Sequence, residues 1–359
     1  MHGIKVKADE LNLIKLAQEY ADEDKARKLF ESWRWPGGKP ICPHCQYDEA
    51  YKIESKPQTK NQARLGLYCC AACRKTFTAT VGTVLEDSHI PISKWLLAIF
   101  ILCSSKKSVS ANQLHRMLGV SYKTAWFMAH RLRFAMTPNH GAEPKLKGIV
   151  EVDETFVGGR GDGAGRFERQ SPVVALVERG GMARVKVVAS VTQKNLGAAL
   201  QECVDPSAVV NTDEHPGYKN PLKAWKEHHA VNHSHGEYQR KNADGSIASI
   251  NTAESFFSLL KRGVVGAWHH VSREHLPKYA NEFAFRWSHR NITDGARMQR
   301  FVPLIANKRI TYRATSQSNR NSALPRPSSH FLPLPFQEGK KQREAAAKKA
   351  RRKTQSLTA

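Results

Sequence analysis

The sequence predicts a mixed α/β protein in which a sheet-containing domain follows smaller N-terminal regions. Residues 149–156 alternate apolar and acidic side chains, a period of two that is typical of a half-buried strand. Further strand and helix patterns follow this stretch as far as residue 290. Ahead of it lie two C-x-x-C pairs and a pattern of helix, glycine turn and helix.

The composition favours a polyanionic partner. The chain has 359 residues, with 56 Lys and Arg against 32 Asp and Glu, and its formal net charge is +24. This surplus favours nucleic acid over a membrane surface or a simple role in solubility. Acidic and basic residues at 9, 10 and 15 exclude a secretory signal, and the longest apolar run, 95–103, is half a membrane span. We therefore expect no membrane partner.

Residues 1–35 form the first predicted region, a helical segment. Asp22 is a suitable N-cap for a second helix that ends near Trp33. The Trp35-Pro-Gly-Gly38 sequence then breaks the helix.

Two C-x-x-C pairs predict a zinc ribbon over residues 36–90. Its four expected ligands are Cys42, Cys45, Cys70 and Cys73. Four thiolates are the tetrahedral set that structural zinc prefers, so we expect one Zn²⁺ that supports folding rather than chemistry. Short strands near 51–53 and 65–68 fit between the pairs, and Cys69 and His44 remain weaker alternative ligands.

Residues 91–137 predict a helix-turn-helix that binds DNA. The apolar spacing is helical on both sides of a glycine turn at Gly119, and Ser121 follows as an N-cap. The residues that we expect to meet DNA are Ser121, Tyr122, Lys123 and Arg131. An ordinary helical hairpin remains the alternative. Proline and glycine in 138–147 predict a linker.

Strand and helix patterns alternate after residue 148. A stretch over 158–170 is rich in glycine and arginine and predicts a mobile loop. The expected strands are 173–178, 183–191 and 208–213, and the expected helix is 194–203. The last strand ends in Asp213, just before a turn, where catalytic residues of α/β sheets tend to lie.

Histidines cluster around a short predicted strand near Ala230. They are His228, His229, His233 and His235. The stretch is basic and polar and has no cysteines, so we expect solvated or DNA-facing histidines rather than metal ligands. Residues 236–250 predict a polar loop.

A helix that begins near Asn251, a plausible N-cap, carries a single polar stripe. Glu254, Ser258 and Lys261 are spaced i, i+4 and i+7 and share one helix face, whereas adjacent phenylalanines and leucines are expected to be buried. A surface helix with ion pairs is the alternative. A further helix is expected over 272–290.

Three acids on separate elements predict a divalent-metal site: Asp153, Asp213 and Glu254. Carboxylate oxygens suit Mg²⁺ or Mn²⁺, and two such ions about 3.5–4 Å apart promote phosphodiester cleavage and transfer. Lys261 shares the face of Glu254 and is placed to bind a phosphate. Glu151 competes as the first ligand because it shares a strand face with Asp153, whereas Glu154 points away and is expected to be solvated.

Several motifs occur in a fixed order along the chain. They are Trp33-Arg-Trp-Pro-Gly-Gly with Cys42-Pro-His-Cys45, Cys70-x-x-Cys73-Arg-Lys-x-Phe77, Val152-Asp153-Glu-Thr-Phe-Val-Gly-Gly159, Thr212-Asp213-Glu, and Asn251-Thr-Ala-Glu254-x6-Lys261-Arg-Gly. Together they resemble transposases of the IS1595 (ISXO2-like) insertion-sequence family, over residues 20–295. Arg286-Trp-Ser-His-Arg290 departs from the family pattern, and the departure concerns only local helix contacts.

The resemblance implies an RNase H-like catalytic core over residues 148–300, preceded by the zinc ribbon and the helix-turn-helix region. Its DDE triad falls on Asp153, Asp213 and Glu254, and Lys261 and Arg262 follow as basic residues at the DNA. The implied reaction is metal-dependent cutting and joining of insertion-sequence ends.

The resemblance also implies the partners. These are double-stranded DNA, as terminal inverted repeats and as target, and further copies of the chain in an active homo-oligomer. The expected location is the bacterial cytoplasm, at the nucleoid. Residues 301–359 have a basic end and predict a disordered tail. A non-catalytic DNA-binding regulator and a stand-alone nuclease of the same fold are the alternative functions.

Overall fold

The computed structural model divides the chain into two compact units. One comprises residues up to Phe100 together with those from Asp294 onward, and the other runs from Ile101 to Thr293. The structure describes residues 11–54, 65–138, 143–158, 170–232, 237–242 and 245–312. Residues 159–169 of the predicted 158–170 loop, the start of the N-terminal helical segment and most of the tail lie outside these residues.

The first unit begins with two capped helices. Asn12 caps α1 (Leu13–Glu19) by accepting a bond from the Lys15 amide, and Asp22 caps α2 (Glu23–Arg34) as predicted. A three-stranded antiparallel sheet of order β1-β2-β3 follows. Its strands are β1 (Ala50–Lys52), β2 (Tyr68–Cys70) and β3 (Thr76–Phe77).

The first unit is completed by residues that the sequence predicted differently. Helix α9 (Asp294–Phe301) is followed by a 3₁₀ turn, Val302–Ile305. The Val84 amide donates to the Ile305 carbonyl, and the Asn307 amide donates to the Gly82 carbonyl. Because Phe301 and Ile305 are fully buried, the prediction of a disordered tail from residue 301 is wrong at its start.

The second unit opens with helices. The unit boundary falls within α3 (Ile92–Ser104). The next two helices, α4 (Ala111–Leu118) and α5 (Tyr122–Ala135), are capped by Ser110 and Ser121. Gly119 between them has φ 58°, a left-handed conformation that glycine adopts without strain.

A five-stranded mixed sheet forms the centre of the second unit, in the order β6-β5-β4-β7-β8. Its strands are β4 (Ile149–Gly158), β5 (Gln170–Glu178), β6 (Ala183–Val187), β7 (Val209–Thr212) and β8 (Glu227–Ala230). β4, β5 and β6 pair antiparallel, whereas β7 and β8 are parallel to β4. β4 is therefore the central strand, with a partner on each side.

Helices cover both faces of this sheet. On one face, Val150 and Val152 of β4 share a core with α6 (Gln193–Cys203). On the other, Val157 shares a core with α7 (Asn251–Gly263) and α8 (Leu276–Ser288). The sequence thus predicted the mixed α/β class, the order of these elements and the alternation along β4 correctly.

Some local predictions need correction. The region expected to be a loop over 236–250 contains a small hairpin, β9 (Gln239–Lys241) with β10 (Ile247–Ser249). Asn251 is the first residue of α7 rather than its cap, because the chain turns one residue earlier, at Ile250. Within the predicted 138–147 linker, Leu146 is buried and bridges to Val204, so this end of the segment belongs to the sheet unit.

Candidate active site

The predicted zinc ligands converge in the first unit. The Sγ atoms of Cys42, Cys45, Cys70 and Cys73 lie within 4.8 Å of one another. Sγ of Cys42 is 3.7 Å from that of Cys73, and Sγ of Cys45 is 3.5 Å from that of Cys70. A tetrahedral zinc with bonds of about 2.3 Å requires sulfur separations of about 3.8 Å, so the donor set and its spacing fit Zn²⁺.

The backbone of each C-x-x-C pair turns in the same way. Gln46 and Arg74, which follow the second cysteine of each pair, have φ values of 61° and 60°. Each amide donates back to the carbonyl of the first cysteine in its pair. The side chain of Cys69 contacts the carbonyls of its neighbours Cys70 and Arg74, and His44 is exposed, so neither alternative ligand joins the cluster.

Asp153 lies on β4 and Asp213 just after β7, the two strands where the antiparallel part of the main sheet joins its parallel part. The parallel register ends with Glu151 of β4 paired to Asn211 of β7, and Asp153 and Asp213 each lie two residues farther along. The charge of Asp213 raises the pKa of Asp153, so the two carboxylates are near each other. β7 ends at Thr212, so Asp213 stands just beyond the carboxyl end of the strand, as predicted. Its Oδ1 accepts a bond of 3.0 Å from the His215 amide, which begins the turn away from the sheet.

Glu254 reaches the same region from the first turn of α7. An open cleft of about 470 Å³ separates this helix from β4. Its lining residues are Asp153, Glu154, Thr155, Glu254, Phe257, Ser258, Lys261 and Arg262. The predicted polar stripe of Glu254, Ser258 and Lys261 therefore faces the cleft, and Arg262 extends its basic part.

The pKa of Asp153 is affected by the nearby acids. The pKa of its carboxyl is raised to about 7, chiefly by burial and then by the negative charges of Glu154, Asp213 and Glu254. The Glu154 amide opposes this by donating to Oδ1 of Asp153 at 2.8 Å. Like-charged carboxylates without a cation between them favour the protonated acid, and a divalent cation would reverse that preference.

Glu151 is the competing ligand, and the structure places it away from the cleft. It lies on the α7 side of β4 but is fully buried. Oε1 accepts bonds from Arg179 and from the Thr252 hydroxyl, while Oε2 accepts from the Thr252 and Ala253 amides. Asp153 is only partly buried and lines the cleft.

Glu154 differs from the prediction of a solvated neighbour. Its carboxylate accepts a bond of 2.5 Å from the Tyr218 hydroxyl, and the side chain is only partly exposed. Burial raises the pKa of Glu154, and that of Tyr218 is raised well above its usual range for the same reason. The sequence analysis did not identify Tyr218 as a site residue. The one sequence feature that could have indicated it is its position in a turn shortly after Asp213.

The predicted DNA-contacting residues separate into two groups. Ser121, Tyr122 and Lys123 are exposed at the start of α5. Arg131 is only 7% exposed, and its guanidinium lies 4.4 Å from the centroid of the Phe127 ring. The expectation that Arg131 meets DNA is therefore wrong, because this side chain packs inside the helical layer.

The histidine cluster is more structural than predicted. His228 lies in β8, half-buried, with Nε2 2.9 Å from the Thr212 hydroxyl, and burial lowers its pKa. His229 pairs with Glu227 at 2.7 Å. His233 and His235 lie outside the described residues. The two described histidines thus belong to the sheet edge rather than to solvent.

Two segments of the chain match known domain families. Residues 145–288 match an ISXO2-like transposase domain, and residues 21–76 match a transposase zinc-ribbon domain. The chain belongs to the IS1595 transposase family. The first match contains all three predicted acids, and the second contains all four cysteines of the cluster.

One relative of this IS1595-family chain is known from Halobacterium salinarum. It is an uncharacterized protein in transposable element ISH50 of Halobacterium salinarum. The two sequences are 29% identical over 288 residues, which cover 74% of this chain and 91% of the relative. Within the part of the chain that the structure describes, no helix is long and apolar enough to cross a membrane.

Proposed function

We propose that this chain is a DDE transposase that cleaves insertion-sequence ends and joins them to target DNA. The observation that carries the proposal is that Asp153 and Glu254, from two separate elements, line one cleft with a basic rim. Asp213, from a third element, is near enough to Asp153 for its charge to raise the pKa of that carboxyl. Membership of a transposase family supports the same reaction class. The mixed sheet, with helices on both faces, supports an RNase H-like core.

In this proposal the three carboxylates hold two Mg²⁺ or Mn²⁺ ions. The donor chemistry fits, since hard divalent cations take carboxylate oxygens, and the charges of Asp213 and Glu254 both act on Asp153. Bound ions would supply activation of the attacking oxygen and stabilisation of the leaving oxygen. Among the described residues, the cysteine cluster is the one group whose ligand atoms all lie within 4.8 Å of one another. The oxygens of the three acids are therefore farther apart than the cysteine sulfurs.

The chain's own groups have distinct roles in the proposed reaction. Asp153, Asp213 and Glu254 would hold the metal ions that contact the phosphate. Lys261 and Arg262 bind phosphate oxygens at the cleft rim. Water attacks phosphorus and breaks the bond to the 3′ oxygen; the freed 3′-hydroxyl then attacks a target phosphate, whose own 3′ oxygen leaves and takes up a proton.

DNA enters the proposal at two further places. The exposed Ser121, Tyr122 and Lys123 at the start of α5 support a helix-turn-helix contact with the duplex. The zinc ribbon supplies a stable fold for the N-terminal unit. We further propose that the active complex with both element ends is a homo-oligomer.

The test is a joining assay with labelled element ends and a target plasmid. Wild-type protein is expected to cleave and join in Mg²⁺ or Mn²⁺ and to do neither after EDTA treatment with zinc restored. Asp153→Asn is expected to bind the ends without cutting them. Joining by Asp153→Asn contradicts the proposal, and cleavage without joining by the wild type favours the nuclease instead.

A further inference from the structure

We infer that Glu151 and Arg179 are positioning residues that fix Glu254 against Asp153. This inference deepens the proposed function and rests on it. We call the group of Glu151, Arg179 and the first-turn residues Thr252 and Ala253 the α7 clamp. It joins the central strand of the sheet to the helix that carries the third acid.

The clamp consists of short hydrogen bonds to one buried carboxylate. Oε2 of Glu151 accepts from the amides of Thr252 at 2.6 Å and of Ala253 at 3.2 Å. Oε1 accepts from the Thr252 hydroxyl at 3.0 Å and from Arg179 at 3.0 Å (Nε) and 2.8 Å (Nη2). Both carboxylate oxygens are thus occupied, and the side chain is 0% exposed.

Helix α7 depends on this remote carboxylate because it has no local cap. Ile250 stands at the N-cap position and makes no side-chain bond to the helix. The first amides of a helix lack partners within the helix, and a negative charge at that end is favourable. Glu151 supplies both the acceptors and the charge from the neighbouring strand.

Arg179 holds the approach to the helix as well as the carboxylate. Its Nη1 donates to the Ile247 carbonyl at 2.8 Å, and Nη2 donates to the Ser249 hydroxyl at 3.0 Å. Both partners belong to β10, which directly precedes α7. The side-chain NH₂ group of Asn211 donates a further bond of 3.3 Å to the Ser249 carbonyl. The start of α7 is therefore tied to strands on both sides of the sheet centre.

The α7 clamp lies close to the two proposed metal ligands in both the strand and the helix. Asp153 lies two residues after Glu151, about 7 Å along the strand. Glu254 lies two residues after Thr252, about 3 Å along the helix axis. The bond between Glu151 and Thr252 thus sets the separation of the two proposed ligands across the cleft. Displacement of α7 by a fraction of a turn changes that separation by an ångström or more, roughly.

Because both carboxylate oxygens of Glu151 already accept hydrogen bonds, Glu151 differs from a metal ligand. A ligand must present a free lone pair to the cleft, and Glu151 is absent from the cleft lining. Its substitution is therefore expected to weaken metal binding without abolishing the reaction. Outer partners of metal ligands commonly change affinity by about 10–100-fold.

The test compares Glu151→Gln and Arg179→Gln with Glu282→Gln as a matched control. Glu282 is equally buried at 0% and is paired with Arg133 at 2.7 Å, but it lies on α8. In protein without Mg²⁺ or Mn²⁺, hydrogen exchange of the Thr252 and Ala253 amides is expected to accelerate about tenfold in both clamp variants. The control is expected to leave these amides unchanged.

With Mn²⁺, the concentration for half-maximal cleavage is expected to rise about tenfold in the clamp variants, while the DNA dissociation constant stays at the wild-type value. Arg179→Lys keeps the charge but loses the forked geometry, so its effect should be intermediate. Arg179→Lys also replaces Glu151→Gln as the clamp variant in these measurements if Glu151→Gln does not fold. Unchanged exchange in both clamp variants, or an equal shift in Glu282→Gln, overturns the inference.

Two further outcomes separate this inference from the proposed function. Loss of cleavage at every Mn²⁺ concentration in Glu151→Gln, with normal activity in Arg179→Gln, makes Glu151 a ligand and overturns the positioning role. Activity in Asp153→Asn overturns the proposed catalytic site itself, and the metal-free exchange measurement reports on the clamp independently of that result.

Discussion

Replacement of Asp153 by asparagine is expected to stabilise the protein in the absence of Mg²⁺ and Mn²⁺, by an amount that grows as pH rises through the window between the unfolded and folded pKa values of this acid and is constant above it. Burial raises the pKa of this carboxyl from 3.8 to about 7. Between these values the folded state binds more protons than the unfolded state, so the free energy of unfolding falls as pH rises through this window. Asparagine keeps the oxygen that accepts the Glu154 amide but cannot ionise.

The interval between the two pKa values corresponds to about 4 kcal/mol at pH 8, since one pKa unit equals about 1.4 kcal/mol. Relaxation around the ionised acid reduces this, so we expect a gain of about 2–4 kcal/mol at pH 8 that disappears by pH 4. The assay is urea unfolding of zinc-loaded protein from pH 4 to 8, followed through exchange of the β5 amides.

Asp205→Asn is the matched control. The Ser207 hydroxyl and amide lower the pKa of Asp205, so its replacement is expected to give no gain at pH 8. Added Mn²⁺ should stabilise the wild type and not Asp153→Asn. Equal stability of wild type and Asp153→Asn at pH 8 refutes the reasoning, because it means that the ionised acid is already compensated.

Three further predictions concern the other sites. Cys42→Ser is expected to remove the bound zinc, about one per chain, and to lower the melting temperature of the N-terminal unit, as measured by metal analysis and calorimetry. Lys261→Ala is expected to reduce cleavage of bound DNA and to lower the slope of log affinity against log salt by about one. Lys123→Ala is expected to lower the same slope while the cleavage rate of saturated complexes stays unchanged; a normal slope in titrations of either variant contradicts its assigned phosphate contact.

Local signals in the sequence predicted the elements that need only neighbours in the chain. Asp22 and Ser121 cap the helices that their positions indicated, because an N-cap bonds to amides within three residues. The alternation along residues 149–156 assigned Glu151 and Asp153 to one face of a strand, since the period of two is a property of the extended backbone. The polar stripe of α7 followed in the same way from helical spacing.

Long-range contacts decided what these signals left open. The sequence predicts acidic side chains on β4. Whether such a carboxylate lines a cleft or bonds to a helix end depends on the position of α7, which lies about a hundred residues later in the chain. Arg131 illustrates the same limit: its helix was predicted, yet its burial depends on neighbouring layers that the helical period does not encode. The return of residues 301–312 to the first unit has no local signal either, because only packing against residues 82–84 orders it.

The sequence by itself determined the cysteine cluster, the order of the secondary structure and the acids that lie on separate elements, because these depend on residue type and short spacing. Only the tertiary structure showed that Asp153 lines the cleft whereas Glu151 is buried against α7, and that the Tyr218 hydroxyl bonds to Glu154. It did so because burial and hydrogen-bond partners arise where distant segments meet, and a carboxylate with all of its lone pairs engaged is chemically different from one that faces a cleft.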